Sequence, residues 1–241
     1  MTRVNCPVIS IEYYNEDTRQ ILLQVPDSID TSFKAGQYLE MTLPSKSCPF
    51  SIANSPGREG VIELHIRPTP DSEDSVEIES LLDSNPTHIE IEFPKGDCFL
   101  ETAPANTLIL MAASTGVAQM KSIVEFLLPE GINKPVYLYW GVIADKDLYL
   151  SDLFNDWVKE HENFHYIPVV SEPETSPNWA GRTGLVGDVV LSEFDSLIDV
   201  TVYVSGGPGM VYATLDSFVE RGMPEGNMYS DIFSYAPRSE S

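Results

Sequence analysis

One short stretch of the chain combines residue types that could hold a flat ligand. It runs Cys48-Pro49-Phe50-Ser51-Ile52, with a proline, an aromatic ring and a hydroxyl in succession. Pro49 cannot donate a hydrogen bond to a neighbouring strand, so the stretch is expected at a sheet edge or at the mouth of a barrel. There Ser51 and nearby backbone groups could face the ligand while apolar residues line its face. The alternative is an edge strand with a buried phenylalanine.

Two later turns carry the small residues that phosphate-binding loops use. One is Ser114-Thr115-Gly116 and the other is Ser205-Gly206-Gly207-Pro208-Gly209-Met210, and each follows an apolar run and precedes a helical pattern. Small residues let a ligand approach the backbone, and the N–H groups that begin a helix suit phosphate. Neither turn matches G-x-G-x-x-G, so each could also be an ordinary tight turn between a strand and a helix.

The first hundred residues are expected to form the strands that position the first stretch. Runs rich in β-branched and aromatic residues, broken by turn residues, predict strands over 4–14, 20–25, 37–43, 51–53, 61–66 and 88–93. One helix is predicted over 74–82, where the apolar residues change to helical spacing. Six short strands with one helix are typical of a small antiparallel Greek-key barrel.

From residue 107 onwards the pattern alternates between strand and helix. Apolar runs predict buried parallel strands over 108–113, 136–140, 164–170, 200–204 and 228–233, with helices ending near 128 and over 150–161, 185–194 and 208–220. The alternation predicts a doubly wound parallel sheet, which binds ligands beyond the carboxyl ends of its strands. We therefore expect two domains: a six-stranded antiparallel β-barrel over 1–102 and an α/β domain over 103–241.

The composition disfavours several classes of partner and cofactor. With 14 basic and 37 acidic residues the formal net charge is −23, which disfavours nucleic acid and an anionic membrane surface as partners. The cysteines, at 6, 48 and 98, are too few and too widely spaced for an iron–sulfur cluster or a structural zinc site. Their small, odd number fits a reducing compartment, and no run reaches the ~18 apolar residues of a membrane span. We expect a cytoplasmic protein without a metal site.

Taken in order, the motifs resemble the ferredoxin–NADP reductase superfamily. They read F-x-A-G-Q-Y at 33–38, P-F-S-I-A at 49–53, E-L-H-I at 63–66, Y-W-G at 139–141 and G-R-T-G at 181–184, together with the two turns above. This order is similar to that of the small bacterial NAD(P)H:flavin oxidoreductases, including those that supply luciferase with reduced flavin. The specificity of the resemblance lies in the order of the motifs more than in any one of them.

The resemblance implies a role for each group of residues. It implies that the barrel binds flavin (FMN, FAD or riboflavin, as substrate or as cofactor) and that the α/β domain binds NADH or NADPH. Ser51 would be the catalytic residue, reaching the N5 edge of the flavin, with Phe50 beside the ring. The implied flavin contacts are Cys48, Pro49, Phe50, Ser51, Ile52, His65, Ile66, Arg67, Phe233 and Tyr235. The implied NAD(P)H contacts are Ser114, Thr115, Gly116, Gly206, Gly207, Pro208 and Met210.

The chain departs from the family pattern in four places. Ser205-Gly206 precedes Gly207-Pro208 where the family has a cysteine before G-P. Cys48 stands where the family has an arginine that serves the flavin phosphate, and a thiol cannot replace a fixed charge. Unless Arg67 or Lys46 substitutes, flavin binding should rest on the isoalloxazine ring and the ribityl chain. Ala113-Ser114 replaces two glycines of the first turn. Val142-Ile143 follows Y-W-G where a basic residue is common, which favours NADH over NADPH.

Three functions are compatible with these residues. The first is a flavin reductase that releases reduced flavin, for example to a flavin-dependent monooxygenase such as a luciferase. The second is an FAD-bound electron-transfer subunit of an oxygenase or a similar system, and the third is a non-catalytic descendant that acts as a binding module. Single residues also have two interpretations. A lone histidine such as His65 in an apolar strand is more often structural than catalytic, and Phe233 and Tyr235 could be core aromatics of a final strand.

Overall fold

A computed structural model describes residues 2–29, 32–57, 60–70 and 72–238. The backbone divides into two compact units, Met1–Glu101 with Lys121–Phe126, and Thr102–Met120 with Leu127–Ser241. The segment Lys121–Phe126 thus groups with the first unit, although a boundary after residue 102 was predicted. The cause is local, because the side chains of Lys121 and Ser122 donate hydrogen bonds to the carbonyl oxygens of Ala53 and Asn54.

The first unit is a six-stranded antiparallel sheet rolled into a half-barrel, as predicted. Its strands lie in the order β4-β3-β6-β1-β2-β5, and all described pairings are antiparallel. Alternation explains the core, because Ile89, Ile91 and Phe93 of β6 are buried between more exposed neighbours. The elements are β1 (Thr2–Tyr13), β2 (Arg19–Gln24), β3 (Tyr38–Thr42), β4 (Ser47–Ser51), β5 (Val61–Ile66), α1 (Glu73–Asp83) and β6 (His88–Lys95).

Strand β4 ends where the sequence predicted it to begin. The predicted strand was 51–53, but the ladder to β3 runs over Ser47–Ser51, with Pro49 opposite Glu40. Pro49 is tolerated because β4 is a terminal strand in the sheet order, so one side of it has no ladder to complete. The proline is therefore at a sheet edge, as expected, but inside the strand.

The second unit is a parallel six-stranded sheet with helices, which confirms the predicted α/β fold. The strand order is β10-β9-β8-β7-β11-β12 and every described pairing is parallel. Its strands are β7 (Thr107–Ala113), β8 (Val136–Val142), β9 (Phe164–Val170), β10 (Arg182–Thr183), β11 (Val200–Ser205) and β12 (Met228–Tyr229). Its helices are α2 (Val117–Leu127), α3 (Ser151–Glu160), α4 (Val186–Glu193), α5 (Pro208–Glu220) and α6 (Ile232–Tyr235). Helix α2 includes the segment Lys121–Phe126, which groups with the first unit.

One prediction for the second unit was wrong in detail, and one short strand was missed. The final strand was predicted over 228–233, but β12 ends at Tyr229 and the chain turns into α6. The turn forms because the Ser230 hydroxyl and carbonyl oxygens accept hydrogen bonds from the backbone N–H groups of Ile232 and Phe233. Strand β10 was not predicted, since two exposed residues carry no hydrophobic pattern. No helix in the described part of the chain has the length and apolar character of a membrane span.

Candidate active site

In the first unit, the end of β4 presents an apolar surface that carries one hydroxyl. Pro49 is exposed, Phe50 and Ser51 are half-buried, and Ile52 behind them is fully buried. Cys48 points into the core with 6% of its surface exposed, and burial raises the pKa of its thiol. The structure therefore offers Pro49, Phe50 and Ser51 to a flat ligand. The predicted contacts of Cys48 and Ile52 lie beneath that surface.

The backbone that follows Ser51 is held by hydrogen bonds to β5. The Ala53 N–H donates to the Glu63 carbonyl oxygen at 2.8 Å. The buried Asn54 side chain forms hydrogen bonds with the backbone of β5, as a neighbouring strand would. Its Oδ1 accepts from the Glu63 N–H at 2.8 Å and its Nδ2 donates to the Val61 carbonyl oxygen at 2.9 Å. These bonds join the two terminal strands of the sheet and bring the end of β4 next to the middle of β5.

The three predicted flavin contacts around the end of β5 have different surroundings. His65 is 4% exposed; its Nε2 lies 2.9 Å from Glu63 Oε1, and its ring packs edge-on against Tyr14. Burial lowers the pKa of His65 in spite of the Glu63 hydrogen bond, so the ring is neutral and donates to the carboxylate. These contacts favour the structural interpretation. Ile66 is a core residue, and Arg67 pairs with Asp17 at 2.8 Å.

A buried charge cluster lies beside this region, and the sequence analysis missed it. We call Glu63, Lys121 and Glu125 the Glu63 cluster. Lys121 Nζ lies 3.2 Å from Glu63 Oε2, 2.6 Å from Glu125 Oε1 and 3.2 Å from the Ala53 carbonyl oxygen. Glu63 and Lys121 are 1% and 3% exposed. The available signals were a carboxylate between buried apolar residues of β5 and a single cation in the apolar sequence of α2.

The second carboxylate oxygen of Glu63 is also saturated with hydrogen bonds. Oε1 accepts from the Tyr14 hydroxyl at 2.9 Å and from Gln20 Nε2 at 3.0 Å, in addition to the His65 ring. Burial by itself would raise the pKa of Glu63, but the His65 hydrogen bond and the Lys121 charge outweigh it and hold that pKa below its usual range. Glu63 is therefore an ionised, fully satisfied group under the barrel surface.

In the second unit, the two predicted turns meet at the switch point of the sheet. Strands β7 and β11 are neighbours, and the chain proceeds outwards from them in opposite directions. A Cβ on Gly116 would lie 2.6 Å from the Ser205 carbonyl oxygen, and a Cβ on Gly206 would lie 2.5 Å from Met210 Sδ. Gly207, which precedes α5, is exposed. Close approach of the backbone thus requires glycine at 116, at the position where doubly wound sheets bind ligands.

Ser114 occupies a backbone conformation that glycine prefers. Its φ is +51°, in the left-handed region, and its carbonyl oxygen accepts a hydrogen bond from Trp140 Nε1 at 2.8 Å. This geometry explains why the family pattern has glycine in this turn. In this chain a serine adopts that conformation. Thr115 is half-buried in the same turn, and Pro208 begins α5 after the second turn.

The predicted C-terminal aromatics belong to the second unit. Phe233 packs against Tyr212 with 5.6 Å between ring centroids, whereas Tyr235 is 62% exposed. Phe233 is accordingly a partial core residue and Tyr235 a surface residue. Their contact with flavin stays a prediction.

Comparison with known proteins gives a consistent result. A family model described as an oxidoreductase NAD-binding domain matches residues 110–216. The NAD(P)H-flavin reductase of Aliivibrio fischeri is 34% identical over 238 residues, which cover 96% of this chain and 99% of that protein. The CDP-6-deoxy-L-threo-D-glycero-4-hexulose-3-dehydrase reductase of Yersinia pestis is 34% identical over 230 residues, which cover 95% of this chain and 68% of that protein. The crystal structure of an Amycolatopsis cytochrome P450 reductase matches with a TM-score of 0.85 at 27% identity, and the match covers 95% of this chain and 68% of that one.

Proposed function

The chain belongs to the NAD(P)H-flavin reductases of the ferredoxin–NADP reductase superfamily, and we propose that it reduces a flavin substrate with NAD(P)H and releases the product. The observation that carries this proposal is the pair of surfaces described above. The first unit offers Pro49, Phe50 and Ser51 to a flat ring, and the second offers two glycine turns at a sheet switch point.

We assign the flavin to the first of these surfaces. Pro49 and Phe50 supply apolar contact for the isoalloxazine ring, and the Ser51 hydroxyl supplies a hydrogen bond at its N5 edge. The nicotinamide supplies a hydride and the flavin accepts it, which requires the two rings to stack with their reacting atoms ~3–3.5 Å apart. The protein's contribution is orientation, and the hydrogen-bonded backbone that follows Ser51 makes that orientation rigid.

We assign NAD(P)H to the two turns of the second unit. Ser114, Thr115 and Gly116 precede α2, and Gly206 and Gly207 precede α5, so backbone N–H groups at two helix starts are available to the pyrophosphate. Pro208 and Met210 complete the second turn. The lack of a basic residue after Y-W-G supports NADH as the preferred donor.

The ion pairs of the first unit support a flavin site that does not recognise the phosphate of the flavin tail. Among the residues that the structure describes there, each lysine and arginine is ion-paired with a carboxylate. These residues are Arg3, Arg19, Lys34, Lys46, Arg67, Lys95 and Lys121. Arg67 and Lys46 would each have to leave a carboxylate, Asp17 or Asp74, in order to replace the family arginine. We propose that riboflavin serves as well as FMN.

The test is NADH oxidation at 340 nm with and without added riboflavin, FMN or FAD. Oxidation that requires added flavin, at similar rates for riboflavin and FMN, is the expected result. A strong preference for FMN would refute the proposed indifference to phosphate. Folded protein that oxidises neither NADH nor NADPH with any flavin would refute the reductase and leave the binding module.

The role of Ser51 is tested by Ser51→Ala, with Ser47→Ala as its matched control. Ser47 is an exposed residue on the same strand. Loss of one hydrogen bond made to the reacting region should lower turnover about 10- to 100-fold without changing the KM for NADH. Equal turnover in both variants would contradict the assignment.

A second candidate function is supported by the longer relatives. The Yersinia and Amycolatopsis proteins exceed this chain by about a third of their length, as expected if related reductases work with a further redox partner. In that case the protein would hold FAD tightly and be yellow as purified, whereas the proposed reductase is colourless. For the reductase we propose a flavin-dependent monooxygenase, such as a luciferase, as the consumer of reduced flavin. We propose a cytoplasmic location on the basis of three buried cysteine thiols.

A further inference from the structure

The Y-W-G motif contributes a buried side chain that contacts the turn Ser114–Gly116. Trp140 lies near the end of β8 and is 0% exposed. Its indole N–H donates to the Ser114 carbonyl oxygen at 2.8 Å, although the two residues are 26 apart in the sequence. The same oxygen accepts from the backbone N–H of Val117, the first residue of α2. Two donors from different elements therefore hold the Ser114 carbonyl group.

Two aromatic rings fix the direction in which the indole points. The ring of Tyr149 lies edge-on to Trp140 with 5.1 Å between the centroids, and the ring of Phe154 in α3 does the same at 5.9 Å. Such edge-to-face contacts are favourable and depend on orientation. The indole N–H is thus aimed at Ser114 before any ligand binds.

Ser114 is the residue of this turn that most needs such support. Its φ of +51° is unfavourable for a serine, whereas a glycine adopts it readily. A return to negative φ would turn the peptide groups on either side of Ser114, including the N–H of Thr115. The proposed function assigns the backbone N–H groups of this turn to the pyrophosphate, so their direction decides whether the nucleotide can bind.

We infer that Trp140 is a positioning residue for NAD(P)H, because its indole N–H holds Ser114 in the left-handed conformation of the nucleotide turn. The inference rests on the proposed function, which assigns this turn to NAD(P)H. Without the hydrogen bond, the turn has the binding conformation for only part of the time. The apparent dissociation constant then rises in inverse proportion to that fraction, while saturating NADH restores full occupancy.

The first experiment uses Trp140→Phe, which keeps an aromatic ring and removes the N–H, with Trp157→Phe as the matched control. Trp157 is a buried tryptophan of the same unit, and its ring also contacts Phe154. We expect Trp140→Phe to raise the KM for NADH about three- to tenfold, the effect of one lost hydrogen bond, without changing kcat or the KM for riboflavin. Trp157→Phe should change neither KM. A variant that is only partly folded would instead lose kcat at an unchanged KM.

Ser114→Gly separates the hydrogen bond from the packing of the indole. Glycine favours the left-handed conformation more than serine does, so the turn should stay competent when the bond is lost. The space left by the smaller ring is the same in both backgrounds. Trp140→Phe should therefore raise the KM for NADH by less than about twofold when position 114 is already glycine. An equal rise in both backgrounds would refute the inference.

A measurement on the unaltered protein covers the case in which Trp140→Phe does not fold. Deuterium exchange of the indole N–H groups is followed by NMR with and without saturating NAD+, which binds without turnover. We expect NAD+ to slow exchange at Trp140 more than at Trp157, because binding excludes the open turn. Unchanged exchange at Trp140 in nucleotide-saturated protein would refute the inference and leave the reductase intact. Folded protein that binds no NAD+ and oxidises neither NADH nor NADPH would refute the proposed function itself.

Discussion

Replacing Lys121 by methionine should destabilise the first unit strongly. Methionine keeps most of the buried aliphatic volume but removes the cation that Glu63 faces at 3.2 Å. Glu63 is then an ionised group, 1% exposed, that has lost this cation and keeps the hydrogen bonds from Tyr14 and Gln20. Removing one member of a buried ion pair costs about 3–5 kcal/mol in general.

Two features of the site place the expected cost at the lower end of that range. Glu63 keeps the hydrogen bonds from Tyr14, Gln20 and His65, and Glu125 can turn towards water because its side chain is 21% exposed. We therefore expect Lys121→Met to lower the free energy of unfolding by about 3 kcal/mol. Glu63→Gln/Lys121→Met should cost only about 1 kcal/mol, since the buried carboxylate and its cation are removed together and the remaining carboxylate, Glu125, can reach water.

The assay must observe the first unit separately. All three tryptophans, Trp140, Trp157 and Trp179, lie in the second unit, so fluorescence alone would miss the effect. Amide hydrogen exchange of β5 in urea reports on the first unit directly. A loss below 1 kcal/mol in Lys121→Met, or a double variant as unstable as the single one, would refute the analysis.

Acidification gives a second signature with a definite sign. In the wild type the pKa of Glu63 is lowered on folding, so its contribution is full above the unfolded pKa of about 4.3 and is lost as the pH falls below it. Removing Lys121 removes one of the interactions that lower the pKa of Glu63, so the folded pKa should move towards the unfolded one. The variant should therefore lose less stability than the wild type as the pH falls below the unfolded pKa of about 4.3.

Three further predictions concern other positions. Gly116→Ala should destabilise the second unit by about 1–3 kcal/mol and raise the KM for NADH, because the new Cβ meets backbone. Gly207→Ala, with nothing within 4 Å of its Cβ, should leave stability unchanged, and denaturant unfolding followed by tryptophan fluorescence measures both variants. Ser114→Gly should be neutral or stabilising by up to ~1 kcal/mol, since relief of the positive φ offsets the entropy of glycine; a clear loss would contradict this. Burial raises the pKa of Cys6 to about 11, so Cys6→Ala should flatten a loss of stability between about pH 9 and 11.

The sequence was informative where a pattern repeats along one element. The alternation of Ile89, Ile91 and Phe93 predicted β6, and α5 occupies the predicted residues 208–220. The two turns at Ser114–Gly116 and Ser205–Met210 were also located, because small residues after a buried strand have few other uses.

The sequence was uninformative where the partners are distant along the chain. Lys121 and Glu63 are 58 residues apart, and neither neighbourhood indicates the other. The chain turns into α6 because of hydrogen bonds at Ser230, which compete with strand formation. These bonds involve only four residues, so they leave no periodic pattern in the sequence. The burial of Cys48 depends on the register between β3 and β4, which local patterns do not fix.

The close contacts at Gly116 and Gly206 place different constraints on which residues these two positions can accept during evolution. Any side chain at position 116 meets the main chain of Ser205, which no substitution at 205 removes, so glycine should be invariant there. At position 206 the obstacle is the Met210 sulfur, which is the end of a flexible side chain. A lineage that carries a larger residue at 206 should therefore carry a compensating change at 210, and the two codons should vary together.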